Sequence, residues 1–128
     1  MSYYFSKTLN VSFEEAVSKV TEELKREGFG ILTDIDVQAT LKKKMNVDFR
    51  KYRILGACNP PLAYQALLKE DKIGTMLPCN VIVQELAEGK AEVAAIDPIA
   101  SMQAVRNPDL QGIAEQVQAK LKKVIDSL

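Results

Sequence analysis

The stretch ILGACNPPLAYQALLKEDKIGTMLPCNV, Ile54 to Val81, decides the architecture, because it reads in turn as strand, helix, connection and strand. Tyr52 to Ala57 is expected as a strand that stops at Cys58. Asn59-Pro60 then joins a favoured helix cap to the residue best suited to the first helical position. Pro60 to Leu68 is therefore a short helix with Leu62, Ala63, Leu67 and Leu68 turned inward. Lys69 to Met76 is a polar connection through Gly74, and a new strand opens at Cys79. The same stretch holds both cysteines of the chain, each followed at once by asparagine.

Working outward, Tyr3, Phe5, Leu9 and Val11 share a parity, and their aromatic and β-branched content marks an N-terminal strand. Ser12-Phe13-Glu14-Glu15 is a capping box that starts a helix whose apolar positions, Phe13, Ala16, Val17, Val20 and Leu24, follow helical spacing. Gly28 supplies the left-handed residue that ends such a helix. The period then changes to two, with Phe29, Ile31, Thr33, Ile35 and Val37 on one side and Gly30, Leu32, Asp34 and Asp36 on the other. Gln38 to Met45 reads as a short helix and Asn46 to Phe49 as a turn.

On the C-terminal side, Cys79 to Leu86 and Ala91 to Ile96 form a hairpin around Ala87-Glu88-Gly89-Lys90. Asp97-Pro98 and Asn107-Pro108 repeat the cap-then-proline device, and the last helix carries Leu110, Ile113, Ala114, Val117, Leu121, Val124 and Ile125. With no linker or repeat, residues 1–128 read as one domain. The class is α+β: a single, largely antiparallel sheet with helices on one face.

A chain of 128 residues with 47% hydrophobic content can bury one core without disulfide staples. Lys+Arg and Asp+Glu both number 17, so the chain lacks the basic footprint of a nucleic-acid binder or a membrane-surface binder. No nucleic-acid or membrane partner is expected. No window approaches the roughly 18 apolar residues of a membrane span, and the N-terminus is not a signal peptide, so a cytoplasmic chain with reduced cysteines is expected. The absence of histidine excludes Ser-His-Asp and Cys-His catalysis and His-ligated metals within one chain.

The segments GFGILTDID from Gly28, ILGACNPPLAYQAL from Ile54 and IGTMLPCNVIV from Ile73 resemble the bacterial and archaeal family called domain of unknown function 302. The resemblance covers almost the whole chain and implies a β-α-β4-α order, a TATA-box-binding-protein-like outline. It assigns no chemistry, and a shared fold outline gives no licence for DNA binding.

Cys58, Asn59, Cys79 and Asn80 are the candidate ligand-binding residues, set where two segments end at what would be one rim of the sheet. A thiol just before a helix N-terminus is placed to ionise, so Cys58 reads either as a reactive thiol or as a small core residue. Asn59 is first a helix cap, and Asn80, with no helix to cap, is placed to bond the Cys58 loop or a ligand. Asp34 and Asp36 form a possible acid-base or cation pair, against the plainer reading of a strand face and a helix cap.

Three functions compete. The favoured one is a homodimeric binding module with a small ligand or a soft metal at the cysteine-asparagine rim. The second is a redox enzyme using Cys58 with Cys79 as resolving thiol. The third is a scaffold with inert buried cysteines. No cofactor is expected, and two cysteines without histidine cannot complete a closed metal site in one chain. Self-association is expected because Leu32, Leu55, Ile82 and Leu86 lie on the parity that a one-sided helical layer leaves bare.

Overall fold

The computed structural model describes residues 2–128. Five strands, β1 (Tyr4–Leu9), β2 (Gly30–Asp36), β3 (Tyr52–Cys58), β4 (Cys79–Ala87) and β5 (Lys90–Ile96), form one sheet in the order β1-β5-β4-β3-β2. Every neighbouring pair is antiparallel. The helices are α1 (Phe13–Arg26), α2 (Val37–Met45), α3 (Pro60–Lys69), α4 (Pro98–Ser101) and α5 (Gln111–Asp126), with 3-10 turns at Asp71–Met76 and Pro108–Leu110. This is the β-α-β4-α order with short helices inserted.

The caps operate as their residue types require. The Ser12 hydroxyl accepts from the Glu15 N–H at 3.1 Å, Glu14 and Glu15 sit at the positive end of α1, and Lys25 and Arg26 at its negative end. Gly28 ends α1 at φ +85°, where an L side chain would be strained, and lets the Phe29 N–H reach back to the Leu24 carbonyl. Asn59, Asp97 and Asn107 each accept from a backbone N–H two or three residues ahead, starting three further segments.

α1 buries Phe13, Ala16, Val20 and Leu24, and α5 buries Ala114, Val117, Leu121, Val124 and Ile125. Both helices pack on β5 and on each other. Beneath them the sheet contributes Leu55, Ala57, Val81, Val83, Ala91, Val93 and Ala95. A smaller cluster packs Ala66 of α3 with Ile73, in the 3-10 turn that replaces the expected polar connection, and Leu110; α3 buries Leu62 and Ala66, and Leu67 and Leu68, expected inward, are exposed.

Two parts of the strand reading need correction. Leu55 is 1% exposed and belongs to the helix-covered core, so it is not on the bare side. In β2 a bulge between Ile31 and Thr33 breaks the simple alternation. Ile31 packs inward opposite Ala57, but Thr33 and Ile35 lie opposite Gly56 and Ile54 on the side away from the helices. One extra residue, Leu32, is enough to turn every later side chain over.

Gly56 is a point of close approach. A Cβ there would meet the Thr33 hydroxyl oxygen on β2 and come 2.7 Å from Pro78 Cγ, whereas a Cβ on Gly30, on the same side, would meet nothing within 4 Å. Gly56→Ala is therefore expected to cost roughly 1–3 kcal/mol by overpacking, and Gly30→Ala to cost less. Urea unfolding of the two variants checks this, and equal midpoints would show that the contact over Gly56 is loose.

Candidate functional site

The four residues at the cysteine-asparagine rim divide between two hollows: Cys58, Asn59 and Cys79 line a narrow cavity beneath the sheet, and Asn80 lines a hollow on the helix-free side. The ladder sets Ala57 opposite Cys79, so Cys58 and Cys79 are diagonal neighbours on β3 and β4. Strand alternation, however, sends their side chains to opposite sides of the sheet. Cys79 is buried with Val81 and Val83 under the helices, while Cys58 shares the bare side with Gly56 and Ile54 and is half-buried opposite Gly30. Both thiols are free. The expected cysteine pair, whether for a soft metal or for a resolving-thiol reaction, is not formed: the two thiols are unbonded, one buried under the helices and the other half-buried at the end of β3. Among the described residues, no three of Cys, Asp or Glu gather as a metal-ligand cluster.

Asn59 is committed to structure on both ends of its amide. Its Oδ1 accepts from the Leu62 N–H at 3.4 Å, and its Nδ2 donates to the Glu27 carbonyl at 3.3 Å. The side chain thus joins the start of α3 to the end of α1. A Cβ on Gly28 would sit 3.1 Å from that Nδ2, a second reason for glycine there. The paired carboxylates also resolve into separate tasks. Asp34 forms an ion pair with Arg53 at 2.8 Å, and Asp36 caps α2 by accepting from the Ala39 N–H at 2.9 Å.

Asn80 lines the hollow on the open face of the sheet. It is exposed on the helix-free side of β4, beside Gly56 in the ladder. On that side the registers of the five strands align three rows across the sheet. The central row is Ile35, Ile54, Ile82 and Ala94, running from β2 to β5. One flanking row is Tyr52, Gln84 and Glu92, and the other runs through Gly56 and Asn80 and is continued by Ile96 and Tyr4 on β5 and β1. Between the flanking rows lies a hollow of about 350 Å³ with Ile82 and Ala94 in its lining.

The polar wall of the hollow is pre-arranged. Arg50 Nε donates to Gln84 Oε1 at 2.9 Å, and Gln84 Nε2 donates to Glu92 Oε1 at 2.8 Å. The Arg50 guanidinium also lies over the Phe49 ring, 4.4 Å from its centroid, and is not part of the lining. Tyr3 and Tyr4, edge to face at 5.1 Å, stand at the other end. Tyr52, Gln84, Glu92 and Ala94 were not singled out from sequence. A signal was present, because Ile82, Gln84, Ala94 and Ile96 stand at alternate positions to the buried valines and alanines of the hairpin.

Beneath the sheet, a cavity of about 30 Å³ among Phe29, Cys58, Asn59, Leu62, Cys79 and Val117 has room for little more than one water and is apolar. Burial holds the Cys79 thiol neutral, and the nearby Cys58 thiol adds to the effect, pushing the pKa from 9.0 up to about 11. This is the reverse of an activated nucleophile. Between pH 9 and 11 the folded chain keeps a proton that the unfolded chain has lost, so stability falls as pH rises through that window and is fully present below it. The contribution is roughly 2–3 kcal/mol. Wild type is expected to lose more stability than Cys79→Ala between those pH values in denaturant titrations, and iodoacetamide at pH 8 is expected to spare Cys79 until the chain unfolds. Parallel pH profiles, or rapid alkylation of folded Cys79, would contradict the burial argument.

Among the described residues, no helix is long and apolar enough to cross a membrane. No curated protein matches the chain. The crystal structure of an uncharacterized conserved DUF302 protein from Bacillus stearothermophilus superposes with a TM-score of 0.89 at 27% identity, covering 98% of each chain. The family model described as domain of unknown function DUF302 matches residues 5–128. With the sheet order, the capped helices and this match in agreement, the chain belongs to the DUF302 family.

Proposed function

We propose that the protein is a single-domain binding module that works as a homodimer, with the helix-free face of its sheet as the working surface. The observation that carries this reading is the cross-strand row Ile35, Ile54, Ile82 and Ala94. An antiparallel sheet with one solvated face places polar residues there. Here the centre of that face is aliphatic, and Tyr4, Leu32, Ile35 and Leu86 around it are between 42% and 66% exposed.

A second copy is the occupant that suits the surface. The chain has zero formal net charge, so no general repulsion opposes its own approach. Five strands about 4.8 Å apart and about seven residues long give a face of roughly 500 Å² in projection. Side-chain relief brings its accessible area toward the ~800 Å² per partner of a standard interface. An isologous contact would lay the isoleucine row of one copy over that of the other, the pattern expected of two-fold dimers.

Asn80, at the edge of the hollow, is the rim residue retained as a ligand contact, and the small ligand is assigned to this face and not to a thiol pair. Sedimentation velocity at about 10 μM is expected to show a dimer, and Ile82→Glu or Ile54→Lys to raise its dissociation constant at least tenfold with the circular dichroism spectrum unchanged. A wild-type monomer at that concentration, or a dimer indifferent to both substitutions, would overturn the homodimer.

A further inference from the structure

We infer that the hollow on the helix-free face binds a small organic cation of the alkylammonium class, with Glu92 as its counter-ion. The inference rests on reading that face as a binding surface; because Ile82 and Ala94 also lie in the row proposed to meet a second copy, the cation and the partner compete for this floor. Glu92 is the single charged side chain in the lining. The nearest guanidinium, that of Arg50, is turned to Gln84 and stacked on Phe49, so nothing in the wall would neutralise an anion.

The Arg50-Gln84-Glu92 chain instead fixes one carboxylate oxygen in place and leaves the carboxylate without an ion-pair partner among the described residues. Tyr52 adjoins Gln84 in the ladder and is the ring placed for a cation at Glu92, whereas Tyr3 and Tyr4 close the far end, about 13 Å along β5. Tyrosine rings offer a negative π face to a cation within about 6 Å of their centroids. A neutral guest would use the aliphatic floor of Ile82 and Ala94 but neither the carboxylate nor the quadrupoles. An anion would be repelled by both. The volume, about 350 Å³, is at the lower end of small-ligand sites.

Calorimetric titration with choline, and with the neutral isostere in which carbon replaces its nitrogen, tests the inference. Choline is expected to saturate the protein below about 10 mM, and the isostere to bind at least about tenfold more weakly. Glu92→Gln is expected to weaken choline about tenfold and leave the isostere unchanged. Tyr52→Leu, which keeps an apolar wall, is expected to weaken choline severalfold and decides the matter should Glu92→Gln fail to fold. No saturation by choline, equal binding of the isostere, or full affinity in both variants would overturn it. Sedimentation with and without choline separates the two readings: a dimer that saturating choline does not dissociate ends the cation site alone, and a protein that is monomeric without choline yet binds it ends the dimer alone.

Discussion

Two helices cannot clothe both faces of a five-stranded sheet, and the rest of the molecule follows from how that shortfall is distributed. The sheet is about 24 Å wide at ~4.8 Å per strand, and two helices side by side, each about 10–12 Å across, cover one face and no more. α1 and α5 take that role, and their buried stripes meet an inner face of valine, alanine and Leu55. Covering the other face would require further long helices. The remaining helical residues are short pieces: α2 packs beside β2 and β3, which it connects, and α3 and α4 pack with the loops around α5.

Once one face is covered, the chemistry of the other becomes informative. Its edges carry hydroxyls, Ser6 and Thr8 on β1 and Thr33 on β2, as a solvated face does. Its centre is instead aliphatic, its flanks hold tyrosine, asparagine and glutamine, and its one carboxylate in the hollow is oriented by a neighbour. That combination, an apolar floor with a few placed polar groups, is how binding surfaces are built. The cysteines fall on the two sides of this division, Cys79 into the core and Cys58 onto the bare side. Their matched local sequences, Cys58-Asn59 and Cys79-Asn80, mark two segment ends, the start of α3 and the start of β4.

Much of the fold was legible because its signals are local. Ser12, Asn59, Asp97 and Asn107 announce helix starts through backbone bonds made within three residues, and each does so in the structure. What escaped depends on register, which local sequence fixes only weakly. The bulge at Leu32 turned Thr33 and Ile35 to the bare face and left Asp34 and Asp36 to an ion pair and a cap. A second irregularity between Glu85 and Ala87 does the same in the hairpin. A plain turn at Glu88-Gly89 would set Gln84 opposite Val93, a polar residue against a core one. The bulge restores Gln84 to Glu92 and Val83 to Val93. That conflict of parity was visible in the sequence, and with it the polar wall of the hollow. The separation of the thiols was visible too, because a strand that ends at Cys58 after inward Ala57 must turn Cys58 outward.

The account turns on what covers the isoleucine row. The most direct measurement is an isotope-filtered methyl NOE experiment on an equal mixture of labelled and unlabelled protein. Intermolecular cross-peaks between the methyls of Ile54 and Ile82 of one copy and the aliphatic protons of the same row in the other are predicted. Intermolecular contacts that arise only from the helix-covered side, or methyls of Ile54 and Ile82 that contact water alone, would contradict it.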